Sequence, residues 1–309
     1  MAATCGKCHQ AAGKRFEIGQ VHLAEGRREA PAMRVVRQFY LLVIPLTLGL
    51  MLLHNAGDWI RKLLRIRANG AAPRSNGHDL PGRPNVRMLP FERLEHALLV
   101  LSFATLVWTG FALKYPDQWW AQPLLVKAGN LRSVLHRMAA VVFMSVTLAH
   151  LVSLFASRRL RWHWKEFLPK IQDAREALAN FAYNVGLRSV PPGRSSHSYI
   201  EKAEYWAVVW GAIVMILTGL MLWATNLMLS LFPKVWLDVA TSVHFYEALL
   251  ATLAIVIWHL YSVIFDPDVY PMDTAWLTGV SVKKPEEPGL DPVQPEPVEQ
   301  EAESRIIAK

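Results

Sequence analysis

Five stretches of this chain are long and apolar enough to cross a lipid bilayer, roughly 37–54, 96–114, 134–156, 204–224 and 239–265. No water is present in the hydrocarbon core to bond exposed backbone N–H and C=O groups, so a segment that enters it must be a helix or part of a closed barrel. A core about 30 Å thick needs about 20 residues of helix. Helices in the core of a soluble protein would be shorter and would show a charged face, whereas these five carry almost no interior charge. The first is borderline in length and contains Pro45, which a membrane helix tolerates. At 52% hydrophobic over 309 residues, the composition agrees. The expected fold class is an all-α membrane protein with five transmembrane helices.

The net charge of +8 is unevenly spread. Loop 55–95 holds Arg61, Lys62, Arg65, Arg67, Arg74, Arg83, Arg87 and Arg93, and loop 157–203 holds nine more basic residues. The two opposite loops together hold four: Lys114, Lys127, Arg132 and Lys234. The positive-inside rule puts the basic loops and the C-terminus in the cytoplasm, and the N-terminus outside. The bases in 1–37 run against this bias, but a translocated tail tolerates some charge. The membrane accounts for these cations and nucleic-acid binding does not. Trp119 and Trp120 on one side, with Trp162 and Trp164 on the other, read as interfacial anchors.

Two parts of the chain repeat each other. Thr109 recurs as Thr218, Gly110 as Gly219, His136 as His244 and His150 as His259, with an offset that is constant to within one position. Each unit is a pair of membrane-length helices, and its second helix carries two histidines about four helical turns apart. The step from His136 to His150 makes four turns less about 40°, so the two imidazoles share a face about 21 Å apart along the axis. Intramembrane polar groups are costly and functional by default, and bis-imidazole haem ligation is the simplest chemistry that needs this arrangement. Helix polarity brings His136 and His244 to the outer side, where they are expected to share one haem. His259 reaches the inner side together with His54, His96 and His150, so its partner is open; the repeat nominates His150. The glycines after the threonines either let a porphyrin face approach a helix or serve ordinary small-residue packing.

The only two cysteines lie in Cys5-Gly-Lys-Cys8-His9. C-x-x-C-H attaches a c-type haem through two thioethers, with the adjacent histidine on iron. There is no second C-x-x-C to complete a zinc site. His22 is the candidate second axial ligand and Met33 the weaker one. No cleavable signal peptide precedes Cys5, and the segment 1–35 is too short to shield a haem. This tail is therefore expected to end a larger cytochrome c head or to be covered by a partner.

Residues 91–282, a four-helix domain, resemble the di-haem cytochrome b subunits of membrane-bound formate dehydrogenases and nickel-iron hydrogenases. The resemblance takes in nearly the whole of that domain. It rests on His96 fourteen positions before Gly110, Leu135-His136, Val243-His244, His259-Leu260-Tyr261, and the closing Leu277-Thr278-Gly279-Val280. It implies two b haems, the outer on His136 and His244, the inner on His259 and His96. His150 departs from the formate dehydrogenase pattern and competes with His96. The added span, 36–67, and the C-x-x-C-H head are similar to proteins in which a multihaem cytochrome c is fused to such a cytochrome b. There Leu53-His54-Asn55 and Asp58 resemble a recurring feature, which gives His54, Asn55 and Asp58 as quinone-site candidates. His54 with His150 is a lesser candidate for a third haem.

Around these parts, 68–90 reads as a cytoplasmic linker, 166–185 as an amphipathic surface helix, and 283–309, rich in Pro and Glu, as a disordered tail. The expected function is electron transfer between quinone and periplasmic c-type haems across a bacterial inner membrane, as part of a quinone:cytochrome c-type oxidoreductase. Expected partners are lipid, quinone, and a periplasmic multihaem cytochrome or redox-enzyme subunits. The alternatives are a cytochrome b anchor for a periplasmic hydrogenase or dehydrogenase, and a haem-free scaffold or transporter using the histidines as a proton relay.

Overall fold

The computed structural model describes residues 30–70, 87–125, 131–189 and 198–280. The C-x-x-C-H motif with Cys5, Cys8 and His9, the candidate ligand His22, and the tail beyond 280 lie outside the described residues. Among those described there are helices and turns and no β-strand.

The helices are α1 (Pro31–Asn69), α2 (Pro90–Lys114), α3 (Leu131–Ala156), α4 (Arg158–Lys165), α5 (Ile171–Asn184), α6 (Tyr199–Trp223), α7 (Thr225–Leu231), α8 (Val235–Ala254) and the single turn α9 (Ala275–Thr278). After Ala254, α8 continues in π-helical form through Ile255–His259 and Tyr261–Phe265. Five of these helices are long and apolar enough to span: α1, α2, α3, α6 and α8 with its continuation. Proline starts α1 and α2, where its missing N–H costs nothing and its fixed φ suits the first turn. The Glu92 carboxylate accepts the Leu89 N–H at 2.7 Å, and the Ser198 hydroxyl caps α6 by accepting from the Glu201 N–H at 3.4 Å.

Burial is inside-out relative to a water-soluble protein. Leu101 is 67% exposed and Phe155 72% exposed, while Asn55, Lys62, Thr109, Lys202 and Glu247 are buried. Only a hydrocarbon solvent makes this arrangement favourable, since apolar side chains there have nothing to escape and polar ones must find partners inside.

The spans form two hairpins, α2 with α3 and α6 with α8, which are the two repeated units. Contact between the hairpins is slight by comparison and includes that of α3 with α6. The first span leans on the second hairpin along α8. Its polar contacts keep a nearly constant separation in sequence: 207 for Tyr40–Glu247, 202 for Asn55–Ile257, 203 for Asp58–Tyr261 and 204 for Lys62–Asp266. Constant separation means that α1 and α8 run parallel, as the first and fifth spans of one chain must.

Three expectations are refined. With 39 residues, α1 is far longer than 37–54 and carries Lys62 and Arg65 beyond the apolar stretch onto Asp266 and Asp268. The amphipathic segment 166–185 is helical only from Ile171, because the Asp173 carboxylate takes the Lys170 N–H at 2.6 Å and fixes the start there. The end of the 68–90 segment is structured: the N–H groups of Arg87 and Met88 both donate to the Gly279 carbonyl, at 2.8 and 3.2 Å. Gly279 has φ 87°, and a Cβ there would lie 2.9 Å from the Met88 carbonyl, so this joint requires glycine.

Candidate functional site: histidine pairs between the hairpins

Each hairpin contributes one ring to each of two facing pairs. His136 of α3 faces His244 of α8 with ring centres 6.4 Å apart, and His96 of α2 faces His259 with centres 6.3 Å apart. An imidazole nitrogen sits about 2.0 Å from a first-row metal and the ring centre about 1.2 Å further, so two imidazoles on opposite sides of one ion have centres about 6.4 Å apart. Both pairs meet that spacing, between the two hairpins.

The bonds behind the rings fix which nitrogen faces the gap. The Thr109 hydroxyl donates to the Thr105 carbonyl at 2.6 Å, so its oxygen is the acceptor for His136 Nδ1–H at 3.0 Å. The second unit repeats this, with Thr218 donating to the Val214 carbonyl at 2.7 Å and accepting from His244 Nδ1–H at 2.8 Å. Both histidines therefore present Nε2, lone pair outward, across the gap. His259 Nδ1 lies 3.1 Å from the Glu204 carboxylate, which orients the ring in the same way. His96 Nδ1 is buried with no partner.

The glycines beside the threonines pack against the histidine rings. A Cβ on Gly110 would lie 3.3 Å from His136 Cε1, and one on Gly219 would lie 3.3 Å from His244 Cε1. Glycine here makes room for the edge of the imidazole itself.

His150 meets a carboxylate and a phenol rather than an imidazole. Its Nδ1 lies 3.1 Å from the Glu95 carboxylate and its Nε2 3.0 Å from the Tyr205 hydroxyl. His54 is held separately: its Nε2 is 2.6 Å from the Tyr199 hydroxyl, which also accepts from Asn180 Nδ2 at 2.8 Å, and its ring packs on Trp258 at 4.8 Å. His54 and His150 thus have different neighbours. Of the other quinone-site candidates, Asn55 donates to the Ile257 carbonyl at 2.6 Å, and Asp58 binds Lys62 and the Tyr261 hydroxyl. Met33 meets the Ser242 hydroxyl through its sulfur. A cavity of about 350 Å³ lined by Arg93, Leu94, Ala97 and Trp276 opens at the start of α2, and the Trp276 ring lies 6.3 Å from that of His96.

Several participants escaped the sequence reading: the threonine hydroxyls, Glu95, Glu204, Tyr199, Asn180, and the buried pair Tyr40–Glu247, joined at 2.9 Å. A signal for the glutamates was present, since Glu95 recurs as Glu204 at the same offset as the histidines they bind. Among the described residues no cluster of three or more His, Cys, Asp or Glu is placed to hold a bare ion. The donors come in opposed pairs, the set that suits an ion already held in the plane of a macrocycle.

A multi-pass helical bundle with opposed imidazoles between its hairpins defines the class of membrane cytochromes b. Residues 87–272 match the family described as prokaryotic cytochrome b561, and the chain belongs to that family. The match spans both hairpins and both histidine pairs. No curated protein matches the chain. As a member, the protein is a b-type cytochrome that binds haem b and carries electrons across a membrane.

Proposed function

We propose that this protein links the quinone pool to periplasmic c-type haems through two b haems, one on His136 and His244 and the other on His96 and His259. The observation that carries this reading is the pair of cross-hairpin ring separations, 6.4 and 6.3 Å, at two depths of one bundle. Haem b in such pairs supplies one-electron transfer without an open coordination position. The chain's own part is to hold each imidazole with Nε2 forward, through Thr109, Thr218 and Glu204, and to shield the gap with apolar helices.

Exchange of one quinone with its quinol moves two electrons and two protons, so the site needs a proton acceptor and a hydrogen-bond donor. His54, with Tyr199 and Asn180, supplies both and lies against the Trp258 ring, next in sequence to His259. The same reading assigns a c haem to Cys5 and Cys8, with His9 and His22 on its iron. It also assigns the chain to a bacterial inner membrane with its N-terminus periplasmic.

The test is a dithionite-reduced difference spectrum with pyridine haemochrome on the purified chain. Haem b and haem c at two to one are expected, and a colourless protein would sink the proposal. Added menaquinol should then reduce the haems; a chain that it leaves oxidised would instead be the anchor of another redox enzyme.

A further inference from the structure

The second helix of the two units differs by one residue: the step from His244 to His259 is one position longer than the step from His136 to His150. In a regular α-helix fourteen residues make four turns less about 40° and fifteen make four turns plus about 60°, so the extra one would turn His259 about 100° round its helix from the direction that His150 takes on its own. Yet both rings point at the first hairpin, His244 at His136 and His259 at His96. The extra residue is absorbed by the π-helical stretch. The Leu260 N–H bonds to the Ile255 carbonyl and the Asp266 N–H to the Tyr261 carbonyl, five residues back instead of four. A π-turn holds one more residue than an α-turn, and in hydrocarbon the displaced carbonyls need partners from neighbouring helices.

The first span supplies a partner. Asn55, Asp58 and Lys62, at helical steps of three and four, form one face of α1. Asn55 Nδ2 donates to the Ile257 carbonyl in the middle of the first π segment, at 2.6 Å. Asp58 accepts from the Tyr261 hydroxyl at 2.7 Å, where the second segment starts, and Lys62 binds Asp266 at 2.7 Å, where it ends. On α8 the matching steps are four and five, as a widened helix requires. Asn55 and Lys62 are both buried, at 8% and 7% exposure.

We propose that Asn55 is a positioning residue for the inner ligand: by holding the Ile257 carbonyl it keeps the π-turn that aims His259 at His96. This gives the added first span a role in the redox centre that it does not itself line. The inference rests on His259 being a haem ligand.

The experiment uses the full chain in detergent, with redox titration and the ferric low-spin EPR signal of each b haem. His259→Ala and His244→Ala come first, to identify the inner and outer components by which one disappears. If His259→Ala loses no b haem, the ligand reading fails before Asn55 is tested. If it does, Asn55→Leu is expected to shift the midpoint potential and EPR signal of the inner haem alone, with retention of that haem falling about tenfold. Asn55→Gln, which keeps the amide, is expected to restore much of the native signal. Unchanged potentials in Asn55→Leu, or equal shifts of both haems, would overturn the proposal. Should the leucine variant not accumulate, Asn55→Ser is read by the same criteria.

Discussion

His150 and His259 hold equivalent places in the two hairpins, each with Nδ1 3.1 Å from a glutamate 55 residues before it, Glu95 and Glu204. Beyond the rings the units diverge. His259 faces His96, whereas Nε2 of His150 meets the Tyr205 hydroxyl. His96 and Tyr205 each directly follow one of these glutamates, so one unit has an imidazole where the other has a phenol.

This asymmetry makes His96, not His150, the partner of His259 in the proposed inner site. His96→Ala should lose one of two b haems per chain, and His150→Ala should keep both. Haem-to-protein ratios from pyridine haemochrome decide between them; the reverse result would move the inner site to His150.

The threonines should tune the outer pair without being ligands. Thr218→Val keeps the shape but removes the acceptor for His244 Nδ1–H, which lowers the basicity of the imidazole. Partners of this kind are worth about 10–100-fold in metal-site affinity. We expect weaker haem retention and a raised midpoint potential at the outer site only, with Thr109→Val acting alike through His136. Unaltered titration curves in both variants would mean that the hydroxyls do not set the ring nitrogens.

Tyr40→Phe should destabilise the fold by about 1–3 kcal/mol, because the buried Glu247 carboxyl loses the Tyr40 hydroxyl and nothing polar replaces it in the bilayer. Glu247→Gln, which still offers an oxygen, should cost less. Thermal unfolding in detergent gives the comparison; a phenylalanine variant as stable as the parent would show the pair to be incidental.

The hold of α5 on α6 should weaken in acid. Partial burial works against ionisation of Asp173. It is outweighed by the hydrogen bond from Lys202 at 2.6 Å, the bond from the Lys170 N–H and both lysine charges, which keep the carboxyl below its usual range. Because the folded-state value is the lower one, the stabilisation is complete above the ordinary carboxylate range and fades as pH falls through the depressed value. Amide exchange within 171–184 should therefore accelerate as pH drops below about 4, after correction for intrinsic rates. Lys202→Met should show the faster exchange already at neutral pH.

The sequence by itself determined the membrane fold, the number of spans, the repeat and the meeting of His136 with His244. These follow from local hydropathy and helical period, which act along the chain and survive without coordinates. It left His96 and His150 in competition, because both reach the same end of the bundle and helix periodicity says nothing about which ring turns inward. Only the tertiary structure separates them: the ring opposite His259 is His96, whereas the group opposite His150, across the hairpins, is the Tyr205 hydroxyl. The π-turn that aims His259 was likewise illegible, since the two histidine steps differ by a single position and looked like a near match. The extra residue acquires meaning only when Asn55, 202 residues away, meets a carbonyl inside the widened turn.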